Sequence, residues 1–99
     1  MNDEQLARNL RSIGKACFVK YFELFASEAI NRVDVIETLK TETPYTEKSC
    51  ISRTSHAQSI IKAGFGKNAL KTVANSNSPL VSEETCTKAK ELIISYYGK

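Results

Sequence analysis

The sequence predicts an all-α protein, a small four- or five-helix bundle in which residues 1–99 form a single helical domain. Apolar residues recur at three- and four-residue steps along most of the chain, which is the spacing of amphipathic helices. No stretch of useful length alternates apolar with polar residues, as a half-buried strand would. The composition, 41% hydrophobic and 25% charged, is ordinary for a globular protein and excludes collagen-like and disordered chains.

The first element is predicted to be a long N-terminal helix over about residues 3–26, capped by Asn2 or Asp3. An apolar stripe marks this helix, and it consists of Leu6, Leu10, Ile13, Cys17, Phe18, Tyr21, Phe22, Leu24 and Phe25. Gly14 lies inside the pattern, where glycine costs about 1 kcal/mol relative to alanine. We expect it either to permit a close helix crossing or to mark a break.

A helix-turn-helix-like unit is predicted over about residues 31–64. Its first helix is short and apolar and ends before Pro44, because proline lacks an amide hydrogen and disfavours helical geometry in the preceding residue. Thr46 is the expected N-cap of the second helix, over residues 47–63, and Gly64 is a natural left-handed residue at its end.

Two further helices are predicted at the C-terminal end, over about residues 67–74 and 83–97. The segment between them is rich in asparagine and serine and contains Pro79, which is typical of a loop. Ser82 is the expected N-cap of the last helix, and two glutamates follow it in the first turn, where negative charge is favoured.

Charge is unevenly distributed along the chain. Residues 1–47 hold six basic and eight acidic residues, and residues 83–99 hold three of each. Residues 48–82 hold five basic residues and no acidic one, and they also contain the only histidine, His56. A concentrated basic stretch favours a surface that meets phosphate or another polyanion.

The outer face of the second helix of the helix-turn-helix-like unit carries no bulky apolar side chain and only one acidic residue, Glu47. The small polar and basic residues of this face are Lys48, Ser49, Ser52, Arg53, Ser55, His56 and Ser59. In helix-turn-helix proteins the second helix enters the DNA major groove and offers such side chains to base edges and phosphates. The alternative is an ordinary amphipathic helix on the surface of a bundle.

The run from Tyr45 to Ile61, YTEKSCISRTSHAQSII, resembles the recognition helix of sigma-factor region-4-like helix-turn-helix domains. The shared pattern is an aromatic residue, a Ser/Thr cap, an acid, two small or polar residues, an aliphatic residue, then Ser-Arg and an alanine before the final aliphatics. Residues 41–44, Thr-Glu-Thr-Pro, depart from the compact turn of that family. The resemblance implies DNA contacts from Lys48, Ser49, Ser52, Arg53 and His56.

We therefore expect a small, non-enzymatic, cytoplasmic protein of the transcription-regulator type that binds double-stranded DNA. The residues expected to contact phosphates are Lys48, Arg53, Lys62, Lys67 and Lys71, and those expected to reach base edges are Ser49, Ser52 and His56. The alternative function is a protein-interaction or homodimerisation module without a nucleic-acid role. Its expected dimer interface is formed by Phe18, Phe22 and Phe25.

Other classes of function have no support in the sequence. Cys17, Cys50 and Cys86 lack the paired spacing of a zinc site and fall on apolar faces, so we expect reduced, buried thiols and no metal or other cofactor. No catalytic residue or small-molecule substrate is inferred. The apolar runs are too short to cross a membrane, and the acidic N-terminus is unlike a signal peptide.

Overall fold

Seven helices and no strand occur in residues 1–98, the part of the chain described by the structure, a computed structural model. They are α1 (Asp3–Ile13), α2 (Lys15–Lys20), α3 (Phe22–Ala26), α4 (Arg32–Glu42), α5 (Glu47–Lys62), α6 (Gly66–Ala74) and α7 (Glu83–Tyr97). The all-α prediction is confirmed. The helix number rises from the expected four or five to seven because the first predicted helix is divided into three.

The prediction of one long helix over residues 3–26 is wrong, and Gly14 is the main cause. Its backbone adopts φ 88° and ψ 127°, a conformation that ends α1 and that side-chain-bearing residues rarely adopt. A second interruption occurs at Tyr21, where φ is −108° and ψ is 17°. The breaks give the three short helices different neighbours, because α1 and α3 pack on α5 whereas α2 packs on α7.

The remaining helix ends follow from local chemistry. The Thr46 hydroxyl accepts a hydrogen bond from the Ser49 amide at 3.1 Å, and Ser82 does the same for the Thr85 amide at 3.2 Å. Gly64 has φ +82° after the end of α5. These three caps were predicted from residue type, and the structure confirms them.

Helix α5 lies at the centre of the packing, against α1, α3, α4 and α6, while α7 packs against α6 and α2. The buried side chains form one continuous core. Phe18, Phe22 and Phe25 belong to this core, with 0%, 0% and 3% of their surface exposed. Their assignment to a dimer surface is therefore corrected, because rings that pack inside one chain offer no face to a second copy.

None of the helices within residues 1–98 combines the length and the apolar character that crossing a bilayer requires.

Candidate nucleic-acid interface

The outward side of α5 carries small polar and basic side chains, of which Lys48, Ser52, Ser59 and Lys62 are exposed. The inward side packs into the core through Cys50, Thr54, Ala57 and Ile60. Ile51, an aliphatic residue next to Cys50, is 41% exposed. Steps of three, four or seven residues separate neighbouring positions of each set, so the two sets occupy opposite sides of one helix.

Arg53 is turned towards the protein rather than towards solvent. Its Nη1 donates a hydrogen bond to the carbonyl oxygen of Ile13, the last residue of α1, and its Nε donates to the Ser49 hydroxyl at 2.9 Å. The guanidinium lies over the Tyr45 ring, with Cζ 3.7 Å from the ring centroid. A cation at the end of α1 satisfies a free carbonyl and the negative end of the helix dipole. Arg53 and Ser49, both expected to contact DNA, thus have internal partners.

His56 is half-buried, and its ring orientation is set by the helix itself. Nδ1 lies 2.7 Å from the Ser52 carbonyl oxygen. Since a carbonyl oxygen only accepts hydrogen bonds, Nδ1 carries the proton in this contact. In the neutral ring, Nε2 is then left as the acceptor.

The one acid of α5 is held by a neighbouring lysine. Lys40 Nζ on α4 lies 3.4 Å from a Glu47 carboxylate oxygen and 3.3 Å from one of Glu37. The hydrogen bond and charge of Glu37, followed by those of Glu47, raise the pKa of Lys40. This exposed network offsets part of the negative charge at the start of α5, although such pairs contribute little to stability.

Arg32 contacts the outward side of α5, and this contact was not predicted from the sequence. This residue opens α4, and its Nη2 donates a hydrogen bond to the Ser55 hydroxyl. Arg32 lies in the acidic first half of the sequence, outside the basic stretch. The signal that could have found it is the short turn after α4, because a turn of four residues keeps α4 packed next to α5.

Lys67 and Lys71 are exposed on α6. Phe65, the N-cap of α6, provides no side-chain acceptor for the first amides of that helix. Within residues 1–98, no hydrogen bond or ion pair connects either lysine with α5. Both lysines are therefore accessible, but no side-chain hydrogen bond or ion pair within the described residues connects them to the outward side of α5.

The cysteines do not assemble a reactive or metal-binding group. All three are free thiols, with Cys17 and Cys50 buried and Cys86 half-buried. Burial raises the pKa of the Cys17 thiol, and this effect outweighs the opposing charge and hydrogen bond of Arg53. No cluster of three or more histidine, cysteine, aspartate or glutamate side chains that could share a metal ion occurs in the described part of the chain.

No protein-family model, curated protein or solved structure matches this chain.

Proposed function

We propose that this protein is a non-enzymatic, cytoplasmic regulator that binds double-stranded DNA with α5 as the recognition helix and α4 as the helix that precedes it. The supporting observation is the outward side of α5, where Lys48, Ser52, Ser59 and Lys62 are exposed and the only acid, Glu47, is held by Lys40. The resemblance of residues 45–61 to sigma-factor region-4-like recognition helices points to the same use. The free thiols suit a reducing compartment.

The proposed contacts divide into those to phosphates and those to bases. Lys48 and Lys62, near the two ends of α5, and Arg32 at the start of α4 are suited to phosphates, which fix the orientation of the protein on the duplex. Lys67 and Lys71 on α6 are further phosphate contacts. They extend the basic surface beyond α5.

Base contacts fall to the middle of α5. The Ser52 hydroxyl both donates and accepts, and the Nε2 atom of neutral His56 accepts from an exocyclic amine. Ile51 adds an apolar surface of the kind that contacts thymine methyl groups. Ser49 and Arg53 are assigned no base or phosphate contact, because the Ser49 hydroxyl and the Nε and Nη1 atoms of Arg53 already have partners inside the protein.

Dimerisation stays a prediction, since many helix-turn-helix proteins read paired half-sites as dimers. The three phenylalanines do not support it. A surface other than Phe18, Phe22 and Phe25 has to carry the contact.

The test is a fluorescence-polarisation titration of labelled mixed-sequence duplex DNA at several salt concentrations. Lys48→Gln and Lys62→Gln should each lower the slope of log affinity against log salt by about 0.9, the change expected when one phosphate contact is lost. Lys90→Gln is the matched control with the same charge change, because Lys90 is exposed on α7, and its slope should equal that of the unmodified protein. Absence of binding in low salt at about 100 μM protein, the weak end of non-specific affinity, would overturn the proposal.

A further inference from the structure

A cleft with a cavity volume of about 380 Å³ opens at the junction of α1 and α2. Its walls come from three separate parts of the chain: the α1–α2 junction around Gly14, the Tyr45 ring before α5, and the loop residues Ser78, Leu80 and Val81 before α7. The volume lies at the lower end of the range for small-molecule sites. It is separate from the outward side of α5.

The inner surface of the cleft is apolar. Leu10 and Cys17 contribute from the edge of the core, and Val81 closes the loop side. Gly14 contributes only backbone atoms to the wall of the cleft. Leu80, on the same loop, is 89% exposed, which leaves a leucine side chain free to cover an apolar ligand.

Two cations stand on the same cleft, Arg11 at the end of α1 and Lys15 at the start of α2. Lys15 Nζ donates a hydrogen bond to the Ser76 hydroxyl at 3.3 Å, so the polar partner of Lys15 carries no charge. Neither cation forms an ion pair with a carboxylate of residues 1–98, and none of the residues that line the cleft is acidic. A third cation, Arg53, lies against the Tyr45 ring that forms one wall.

The positive charge of the cleft arises from the fold and not from the net charge of the surrounding sequence, since residues 1–47 carry more acids than bases. The acids of α1 stand in its first turn, where they suit the helix dipole, and one of them pairs with Arg8 at 3.3 Å. Arg11 lies in the last turn of α1, at the opposite end, and Lys15 begins α2. The cleft therefore combines an apolar interior with cations that have no acidic partner.

We propose that this cleft binds a small organic carboxylate with a compact apolar body. The apolar body would cover Leu10, Cys17 and Val81, which releases water from apolar surface. The carboxylate would accept charge-assisted hydrogen bonds from Arg11 and Lys15, and these are stronger than bonds between neutral groups. A neutral ligand would contact only the apolar surface, and a small anion such as acetate would contact only the two cations.

Octanoate is a suitable probe, with octanol as the uncharged match for its apolar chain and acetate as the match for its carboxylate. Binding is followed by calorimetry and by the amide resonances of the folded, full-length protein. We expect octanoate to bind, to shift the resonances around Gly14, and to bind about a hundredfold more tightly than octanol, because the carboxylate gains about a factor of ten from each of its two charge-assisted hydrogen bonds. Acetate should bind more weakly still.

Variants then test whether the two cations are responsible. Arg11→Gln and Lys15→Gln should each weaken octanoate binding about tenfold and leave octanol binding unchanged. Lys20→Gln is the matched control, because Lys20 is exposed on the same helix α2 but lies over the Tyr21 ring and does not line this cleft. Equal affinity for octanol and octanoate, resonance shifts scattered away from the cleft, or an equal loss in Lys20→Gln would overturn the proposal. DNA binding plays no part in this experiment, so its outcome is separate from that of the proposed function.

Discussion

At the scale of single residues, Arg53 makes two side-chain hydrogen bonds and one cation–π contact. It bonds the end of α1 through Ile13, bonds Ser49 within α5, and stacks on Tyr45 in the preceding turn. A planar guanidinium with several donors in fixed directions can make these contacts at the same time, and no other side chain has this geometry. We interpret Arg53 as a residue that fixes α5 against α1.

Arg53→Gln should therefore act on stability and not on DNA binding. The change leaves the Ile13 carbonyl without its partner and should lower the free energy of unfolding by about 1–3 kcal/mol, measured by urea denaturation. The salt slope of DNA binding should stay unchanged, whereas Lys48→Gln should show the reverse pattern. A reduced slope together with unchanged stability in Arg53→Gln would instead identify Arg53 as a phosphate contact.

At the scale of elements, the break between α1 and α2 determines which helix packs where. Gly14 accepts a backbone conformation in which α1 ends and α2 begins, so α1 packs on α5 while α2 packs on α7. Inside a continuous helix, glycine at this position would destabilise the fold relative to alanine. Here glycine stabilises the fold relative to alanine.

Gly14→Ala should lower the free energy of unfolding by about 1–3 kcal/mol, the cost of holding a non-glycine residue in such a conformation. The new Cβ would also lie 3.2 Å from Arg53 Nη1, closer than ordinary van der Waals contact. Gly64→Ala is the matched control, because φ is +82° there but no atom lies within 4 Å of the added Cβ. Thermal and urea unfolding of both variants should show the larger loss at Gly14; a stabilised Gly14→Ala would mean that the two helices can merge.

At the scale of the whole molecule, three weakly acidic side chains in different parts of the fold have raised pKa values, Cys17 in α2, Tyr21 between α2 and α3, and Tyr97 in α7. Burial is the main cause for Cys17, for Tyr21 and for Tyr97, and the charge of Glu42 adds to the effect at Tyr21. The folded protein holds these protons to a higher pH than the unfolded chain does. Their contribution to stability is therefore fully present below the ordinary pKa values and is lost as the pH rises through the raised ones.

The free energy of unfolding should accordingly fall as the pH rises beyond the ordinary thiol pKa of 9.0 and on past the ordinary tyrosine pKa of 10.0. Lys40 acts in the same direction, because its pKa is also raised in the folded state. Urea unfolding between about pH 8 and about pH 11 measures the decline. In Cys17→Ala the first part of the decline should flatten, and a slope identical to that of the unmodified protein would show that Cys17 does not contribute.

The outward side of α5 was predictable in part. Helical spacing correctly indicated that Lys48, Ser52 and Lys62 are exposed, because these positions lie opposite the apolar stripe. Ser49 and Arg53 lie at the edge of that stripe, where a polar residue faces either solvent or a neighbouring helix. Residue type alone does not distinguish these cases, since a long side chain such as arginine can pack its stem on the core and bond internally.

The sequence by itself determined the all-α class, the caps at Thr46 and Ser82, and the end of α5 at Gly64, because these depend on residues a few positions apart. The tertiary structure alone decided the contacts that join distant segments. These are the bond of Arg53 to α1, the bond of Arg32 to Ser55, the burial of the three phenylalanine rings within one chain, and the cleft beside Gly14. Each depends on how the helices pack, and packing brings together side chains whose separation along the chain carries no local signal.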